Sequence, residues 1–168
     1  MKKILLSLLA VLGMTACSQA QKTEFDKEAL SNVMTTTDKS EITFAEILEA
    51  NKGKTIVIDI WASWCSDCIK GMPKLKELQK KNEDVVFLFI SMDKNWRDWI
   101  IGIEKYELAG KHFLVADGMK GVFGKSIDLN WIPRYMIVDK TGKIALYKAI
   151  VADDEQLQKT LDQLNSKR

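Results

Sequence analysis

Apolar and polar positions alternate in blocks along the chain, and two periodicities divide it. Thr55-Ile56-Val57-Ile58-Asp59-Ile60-Trp61 and Val85 to Met92 are near-continuous apolar runs, the pattern of strands covered on both faces. Between them, Cys65 to about Asn82 carries Ile69, Met72, Leu75 and Leu78 at helical spacing, and Pro73 inside this stretch predicts a kink. Trp96, Trp99, Ile100 and Ile103 form a second helical stripe that ends by Gly110. His112 to Ala116 reads as a short extended piece and Gly118 to Ile127 as a weak helix. Arg134 to Val138 and Ile144 to Ala149 are strands, joined as a hairpin by Asp139-Lys140-Thr141-Gly142-Lys143. Upstream, Thr43-Phe44-Ala45-Glu46 has the form of a capping box opening a short helix that Gly53 stops. At the far end Asp153 or Asp154 caps a helix carrying Leu157, Leu161 and Leu164. Strand–helix–strand–helix, an insertion, then strand–strand–helix makes an α/β fold. Right-handed crossovers set the first strands parallel and the hairpin adds antiparallel ones, giving a central mixed β-sheet flanked by helices on both faces, with an inserted helical segment.

The N-terminal residues follow a different pattern. Lys2 and Lys3 precede an apolar stretch, Ile4 to Leu12, too short to span a bilayer. It runs into Met14-Thr15-Ala16-Cys17, which resembles a bacterial lipoprotein signal cleaved before Cys17 and lipidated on that thiol. Met14 departs from the usual residue at its position, and an ordinary secretory signal with an extra cysteine is the plainer alternative. Either way the chain is exported. The expected division is a signal peptide over 1–16, a polar tether over 17–40 with at most a short docking stretch from Phe25 to Met34, and a folded domain over 41–168. Ser18 lacks the acidic character that often follows an inner-membrane lipoprotein cysteine, which favours the outer membrane.

Charge and cysteine content narrow the chemistry. The chain has 25 Lys+Arg and 23 Asp+Glu, and removal of Lys2 and Lys3 leaves the two in balance, which argues against nucleic acid as a partner. Of 3 cysteines, a lipidated Cys17 is set aside and one pair is left, so the folded part has no disulfide framework and depends on an apolar core. Cys65 and Cys68 remain, in Trp64-Cys65-Ser66-Asp67-Cys68, at the turn from strand to helix. A helix N-terminus favours thiolate over thiol, so Cys65 is the candidate nucleophile and the more exposed thiol. Cys68, one turn on, is the candidate resolving thiol. Half of a zinc site is the competing reading of the pair, but His112 is the single histidine and Cys17 the remaining cysteine. A Cu(I) chaperone using the same thiolates is a further alternative. Asp67 places a carboxylate beside the nucleophile, which disfavours its thiolate and makes the couple less oxidising. That favours a reductase over a DsbA-like disulfide oxidase.

The stretch Asp59-Ile60-Trp61-Ala62-Ser63-Trp64-Cys65-Ser66-Asp67-Cys68 resembles the active-site segment of the thioredoxin fold residue by residue. Trp131-Ile132-Pro133 stands just before the hairpin, in the place of that family's cis-proline loop. The exported, lipid-anchored setting, the inserted segment and the hairpin Ile137-Val138-Asp139-Lys140-Thr141-Gly142-Lys143 are most similar to the TlpA/ResA branch, and the resemblance covers roughly residues 40 to 165. The resemblance implies a thiol–disulfide oxidoreductase that needs no cofactor. Its substrates would be disulfide-containing envelope proteins, apocytochrome c among them, and its electrons would come from a membrane or periplasmic dithiol protein. It implies that Asp59 is buried and takes the Cys68 proton, against the alternative of a strand-edge carboxylate in solvent. It implies a cis bond before Pro133, against an ordinary turn proline, with the Ile132 backbone free to pair with extended substrate. Trp64 is expected to line the rim and Trp61 the core. Three positions depart from the family pattern: Gly71 stands where the ResA-type branch often has Glu, the basic residue near the buried Asp is replaced by an apolar one around Phe89, and the dipeptide between the cysteines is Ser66-Asp67.

Overall fold

The computed structural model describes residues 21–166, so the expected signal peptide and Cys17 lie outside the described residues. The elements in chain order are α1 (Lys27–Leu30), β1 (Val33–Thr36), β2 (Glu41–Thr43), α2 (Phe44–Glu49), β3 (Ile56–Trp61), α3 (Ser66–Lys81), β4 (Val86–Ser91), α4 (Trp96–Tyr106), β5 (Lys111–Leu114), α5 (Val122–Ser126), β6 (Arg134–Val138), β7 (Ile144–Ala149) and α6 (Glu155–Asn165). Among the described residues the strands form one 7-stranded sheet in the order β2-β1-β5-β4-β3-β6-β7. β3, β4 and β5 run parallel to one another, and β6 pairs antiparallel with both β3 and β7. This is the mixed sheet expected from the order of elements.

Central position explains the composition of β3. All six of its residues are buried, including Asp59, because β4 and β6 flank it and helices cover both of its faces. In β6, which is likewise buried throughout, Tyr135 pairs with Asp59 and Arg134 with Ile60. Paired residues share a face of the sheet. Tyr135 reaches towards α3, its hydroxyl 3.8 Å from where a Cβ on Gly71 would stand. Asp59 therefore faces α3 as well. Arg134 faces the other way, towards the segment after α5, through hydrogen bonds to the Ile127 and Asp128 carbonyls. That second face holds an edge-to-face chain of rings, Phe25 on Phe44 at 4.8 Å and Phe44 on Phe123 at 5.1 Å.

Local signals set the boundaries. Thr43 and Glu46 form the capping box, with Thr43 N–H donating to Glu46 Oε2 at 2.8 Å and Glu46 N–H to Thr43 Oγ1 at 3.3 Å. α2 stops at Glu49, before Gly53, whose φ of 80° lies inside the turn that follows. Asp154 caps α6 through Gln156 N–H. Asp139 organises the hairpin, its Oδ1 accepting from the backbone of Thr141 and Lys143 at 2.8 and 3.0 Å. α3 continues through Pro73, which removes the donor that would otherwise meet the Ile69 carbonyl.

One expectation is corrected. Residues 17–40 do not all form a tether, because α1 and β1 belong to the fold. β1 lies between β2 and β5 and pairs antiparallel with both, Met34 is 1% exposed and Ala29 0%. A Met buried to this degree contributes about 1.5–3 kcal/mol of hydrophobic transfer. Order reaches further back: Thr23 O accepts from Ile144 N–H at 2.8 Å, and Lys22 Nζ donates to Ser126 O at 2.9 Å and pairs with Asp128 at 3.3 Å. The four-residue β1 buries a single full side chain, so alternation there is too short to stand out from polar sequence.

Candidate active site

Cys65 and Cys68 are joined as a disulfide with Cα atoms 5.3 Å apart. The chain leaves β3, turns through Ala62 to Trp64, and starts α3 with Cys65 as its N-cap. Cys65 Sγ accepts the Cys68 N–H at 3.1 Å, so one of the helix's otherwise unpaired donors points at the nucleophile candidate. The turn is fastened from β4: Asp93 accepts from Ser63 N–H at 3.0 Å, Ser63 Oγ at 2.7 Å and Ser91 Oγ at 2.7 Å. It is also fastened from α4, where Gly102 permits close approach. A Cβ there would lie 2.8 Å from Ser63 Cβ and 3.1 Å from Trp61 Cη2.

The segment before β6 forms the other side of the site. The Ile132–Pro133 peptide is cis. The Ile132 carbonyl oxygen lies 3.6 Å from Cys65 Sγ. Arg134, 1% exposed, holds this segment from beneath by donating to the Ile127 and Asp128 carbonyls, both at 3.3 Å, and to Asn130 Oδ1 at 3.1 Å. A groove of about 370 Å³ opens over the disulfide, walled by Trp64, Met119, Asn130, Trp131 and Ile132. Cys65 borders it and Cys68 does not, although both thiols are largely covered, 6% and 3% exposed. Trp64 and Trp131 stand out on its rim at 60% and 58% exposure. A second cleft of about 390 Å³ runs along α3 past Lys70, Gly71, Tyr135 and Val151, and shares Asp67 and Trp131 with the first. On the far side of the segment a third hollow, lined by Gln21, Lys22 and Arg134, shares Asn130 with the groove over the disulfide.

Asp59 is buried at 4% exposure, and its Oδ1 has no hydrogen-bond partner among the described residues. Burial without a compensating cation pushes its carboxyl up to about 8. Its partner in β4 is the apolar Phe89. Burial also raises Tyr135, and the charges of Asp59 and Asp153 add to the effect. Asp67 lies at the surface within 3.7 Å of Lys70.

The structure brings Trp64, Cys65, Cys68 and the Ile132–Pro133 segment together, and places Asp59 within β3 on the face turned to α3. His112 has a separate role: it stacks on Phe89 at 4.9 Å, its Nε2 is 3.0 Å from the Leu108 carbonyl oxygen, and burial lowers its pKa. Trp99 is fully buried, so the α4 stripe is core. Sequence reasoning missed Met119, Arg134, Tyr135 and Asp93. Arg134 and Tyr135 carried a usable signal, since polar groups in an apolar strand directly after a cis-proline segment must be spent on something buried. Met119 carried none, because it reaches the site from a distant loop. Cys17 lies outside the described residues, and no helix among the described residues is long and apolar enough to cross a membrane.

Comparison with known proteins agrees with this geometry. The thioredoxin-like family matches residues 53–144. The thiol-disulfide oxidoreductase ResA of Bacillus cereus (strain ATCC 10987 / NRS 248) is 28% identical over 167 residues, covering 96% of this chain and 92% of its own. The solution structure of a Bacteroides vulgatus protein, proposed to be a thiol-disulfide oxidoreductase, superposes with a TM-score of 0.68 at 30% identity, over 83% of this chain and 90% of that one. A secreted disulfide oxidoreductase of Mycobacterium tuberculosis shares the fold, with a TM-score of 0.63 at 22% identity, over 83% of this chain and 100% of that one. A dithiol capping a helix beside a cis-proline, in a chain aligned with such relatives along nearly its whole length, identifies this protein as a thiol–disulfide oxidoreductase of the thioredoxin-like family.

Proposed function

We propose that this oxidoreductase works in the reducing direction on disulfides of cell-envelope proteins, held to the membrane by lipid on Cys17 and facing the periplasm. Cys65 thiolate attacks one sulfur of a substrate disulfide, forming a mixed disulfide and releasing the other sulfur as a thiolate. Cys68 then passes its proton to the Asp59 carboxylate and attacks Cys65 Sγ. The bond between Cys65 and the substrate breaks, and the substrate leaves with its second thiolate, which takes a proton from water. The two electrons gained by the substrate are those lost in forming the Cys65–Cys68 disulfide. A membrane or periplasmic dithiol protein reverses the exchange and restores the reduced pair. The Ile132 backbone beside Cys65 would pair with an extended client segment, and Trp64 and Trp131 would cover it.

The observation that carries the direction is the environment of the two acids. Asp59, buried and pushed up to about 8, has an affinity suited to taking a thiol proton near neutral pH. Asp67 adds negative charge beside Cys65, which makes the thiolate less stable and the couple less oxidising. The deciding experiment is the equilibrium reduction potential of the Cys65–Cys68 pair. A value near that of thioredoxin, about −270 mV, supports the reductase; one near that of DsbA, about −120 mV, makes the protein a disulfide-forming enzyme. Mass spectrometry of the N-terminal peptide from a membrane fraction tests lipidation of Cys17. Outer membrane is the favoured side because Ser18 follows it.

A further inference from the structure

Asp59 lies buried in an interior strand of the sheet, so a proton that it takes from Cys68 needs a way out. A neighbour on the same face of the sheet reaches a cleft open to solvent. Tyr135 is the antiparallel partner of Asp59 and shares its face of the sheet. It is 1% exposed, yet it lines the cleft that runs along α3. Its hydroxyl comes up beside Gly71, one helical turn beyond Cys68, with 3.8 Å to the place a Cβ would occupy. Absence of a side chain at Gly71 thus leaves this hydroxyl open to the cleft. A buried phenol normally spends its O–H on a protein acceptor. None of the hydrogen bonds formed by side chains among the described residues engages this one.

We propose that Tyr135 is a positioning residue for the redox reaction, its hydroxyl linking the Asp59 carboxyl to water in the α3 cleft and carrying protons between them. The proposal rests on Asp59 accepting the Cys68 proton. As protonated Asp59 gives its proton to Tyr135 Oη, directly or across one water, Tyr135 gives its own to water in the cleft. One proton leaves and the phenol is unchanged. Burial keeps Tyr135 neutral throughout, so it acts as donor and acceptor and never as a stored charge. The groups that face this path are Cys68, Asp67, Lys70 and Lys74 on α3, Asp153 ahead of α6, the apolar Phe89 on β4 and, beyond Phe89 and stacked on it, His112 on β5. The two lysines are paired at the surface with Asp67 and Glu77, which leaves Asp59, Cys68 and Tyr135 to define the interior of the path.

The test compares Tyr135→Phe, Asp59→Asn and the double variant with the unaltered protein. Each is assayed for insulin disulfide reduction between about pH 5.5 and 9.5, with the Asp59 carboxyl titrated by ¹³C NMR. Phenylalanine keeps the ring and removes one unpartnered hydroxyl, and denaturant unfolding confirms that the variant is folded. Tyr135→Phe is expected to raise the Asp59 titration midpoint and move the acid limb of the kcat profile the same way, with KM unchanged. In the Asp59→Asn background it is expected to have no further effect. An unchanged Asp59 midpoint and profile in Tyr135→Phe overturns the proposal, as does an effect of equal size in the Asp59→Asn background. If Asp59→Asn alone leaves the kcat profile as it was, the role of Asp59 itself fails, and that outcome is distinct from the other two.

Discussion

Replacing Asp59 by Asn tests the central physical claim, that the fold tolerates a buried carboxyl at a cost that grows with pH. The carboxyl titrates at about 8 in the folded chain, against 3.8 for an unperturbed side chain. Its folded pKa is raised, so the folded state holds this proton more tightly than the unfolded one between those two values. Stability is then full below about pH 4 and falls as pH rises, until ionisation in the folded state is complete above 8. At about 1.4 kcal/mol per unit, the whole loss is on the order of 6 kcal/mol, and about 4 kcal/mol of it has accrued by pH 7. Asparagine is nearly the same shape and does not titrate. The variant should match the unaltered protein near pH 4 and exceed it by several kcal/mol at pH 8, while losing reductase turnover. The assay is urea unfolding of the oxidised protein in steps from pH 4 to 9. His112, whose burial lowers its pKa, works with the opposite sign, since its contribution is lost as pH falls through the unfolded value of 6.5. It is present in both proteins, so the difference between them isolates Asp59. A difference that stays flat between pH 5 and 8 would refute the reasoning.

Three other substitutions probe the frame around the dithiol. Arg134→Lys removes the planar fork that holds the Ile127 and Asp128 carbonyls and Asn130, and should cost about 2–4 kcal/mol in denaturant unfolding and raise KM for protein substrates; unchanged KM and stability would mean that the segment holds itself. Gly102→Ala adds a Cβ 2.8 Å from Ser63, so despite the better helix propensity of alanine it should destabilise by about 1–3 kcal/mol and lower turnover. A stabilised, fully active variant would show that α4 does not press on the active-site turn. Met34→Ala should cost about 2–5 kcal/mol by calorimetry if β1 is part of the core, and close to nothing if it is a passive leader.

Much of the architecture was legible because the strongest patterns sit where burial is most complete. β3 and β4 are covered on both faces and read as unbroken apolar runs, and the capping box and hairpin announced themselves through residues with few other uses. The dithiol was legible for a different reason: its chemistry depends on a turn and a helix start, both written in adjacent residues. What escaped notice depends on pairing between distant segments. β1 gains its place by antiparallel pairing to β5, almost eighty positions on, and four residues with one buried side chain give no local hint of that. Tyr135 and Asp59 meet through strand register, and Met119 reaches the groove by a loop, so neither relation has a signature in nearby sequence.

Early ordering of the chain also sets the length of the leash. A polar tether reaching to residue 40 would have let the domain roam as far as about 80 Å from a lipid on Cys17. Because Lys22 is already fixed to Ser126 and Asp128, at most five residue steps, about 18 Å of chain at full extension, separate Cys17 from the fold. Its attachment point matters as much as its length. Gln21 and Lys22 line a hollow that shares Asn130 with the groove over the disulfide, so the leash would join the domain next to its reactive end. With Cys17 lipidated as proposed, the dithiol would patrol a thin layer at the membrane surface, able to meet a reductant embedded there and clients that come to it, and out of reach of most of the compartment beyond.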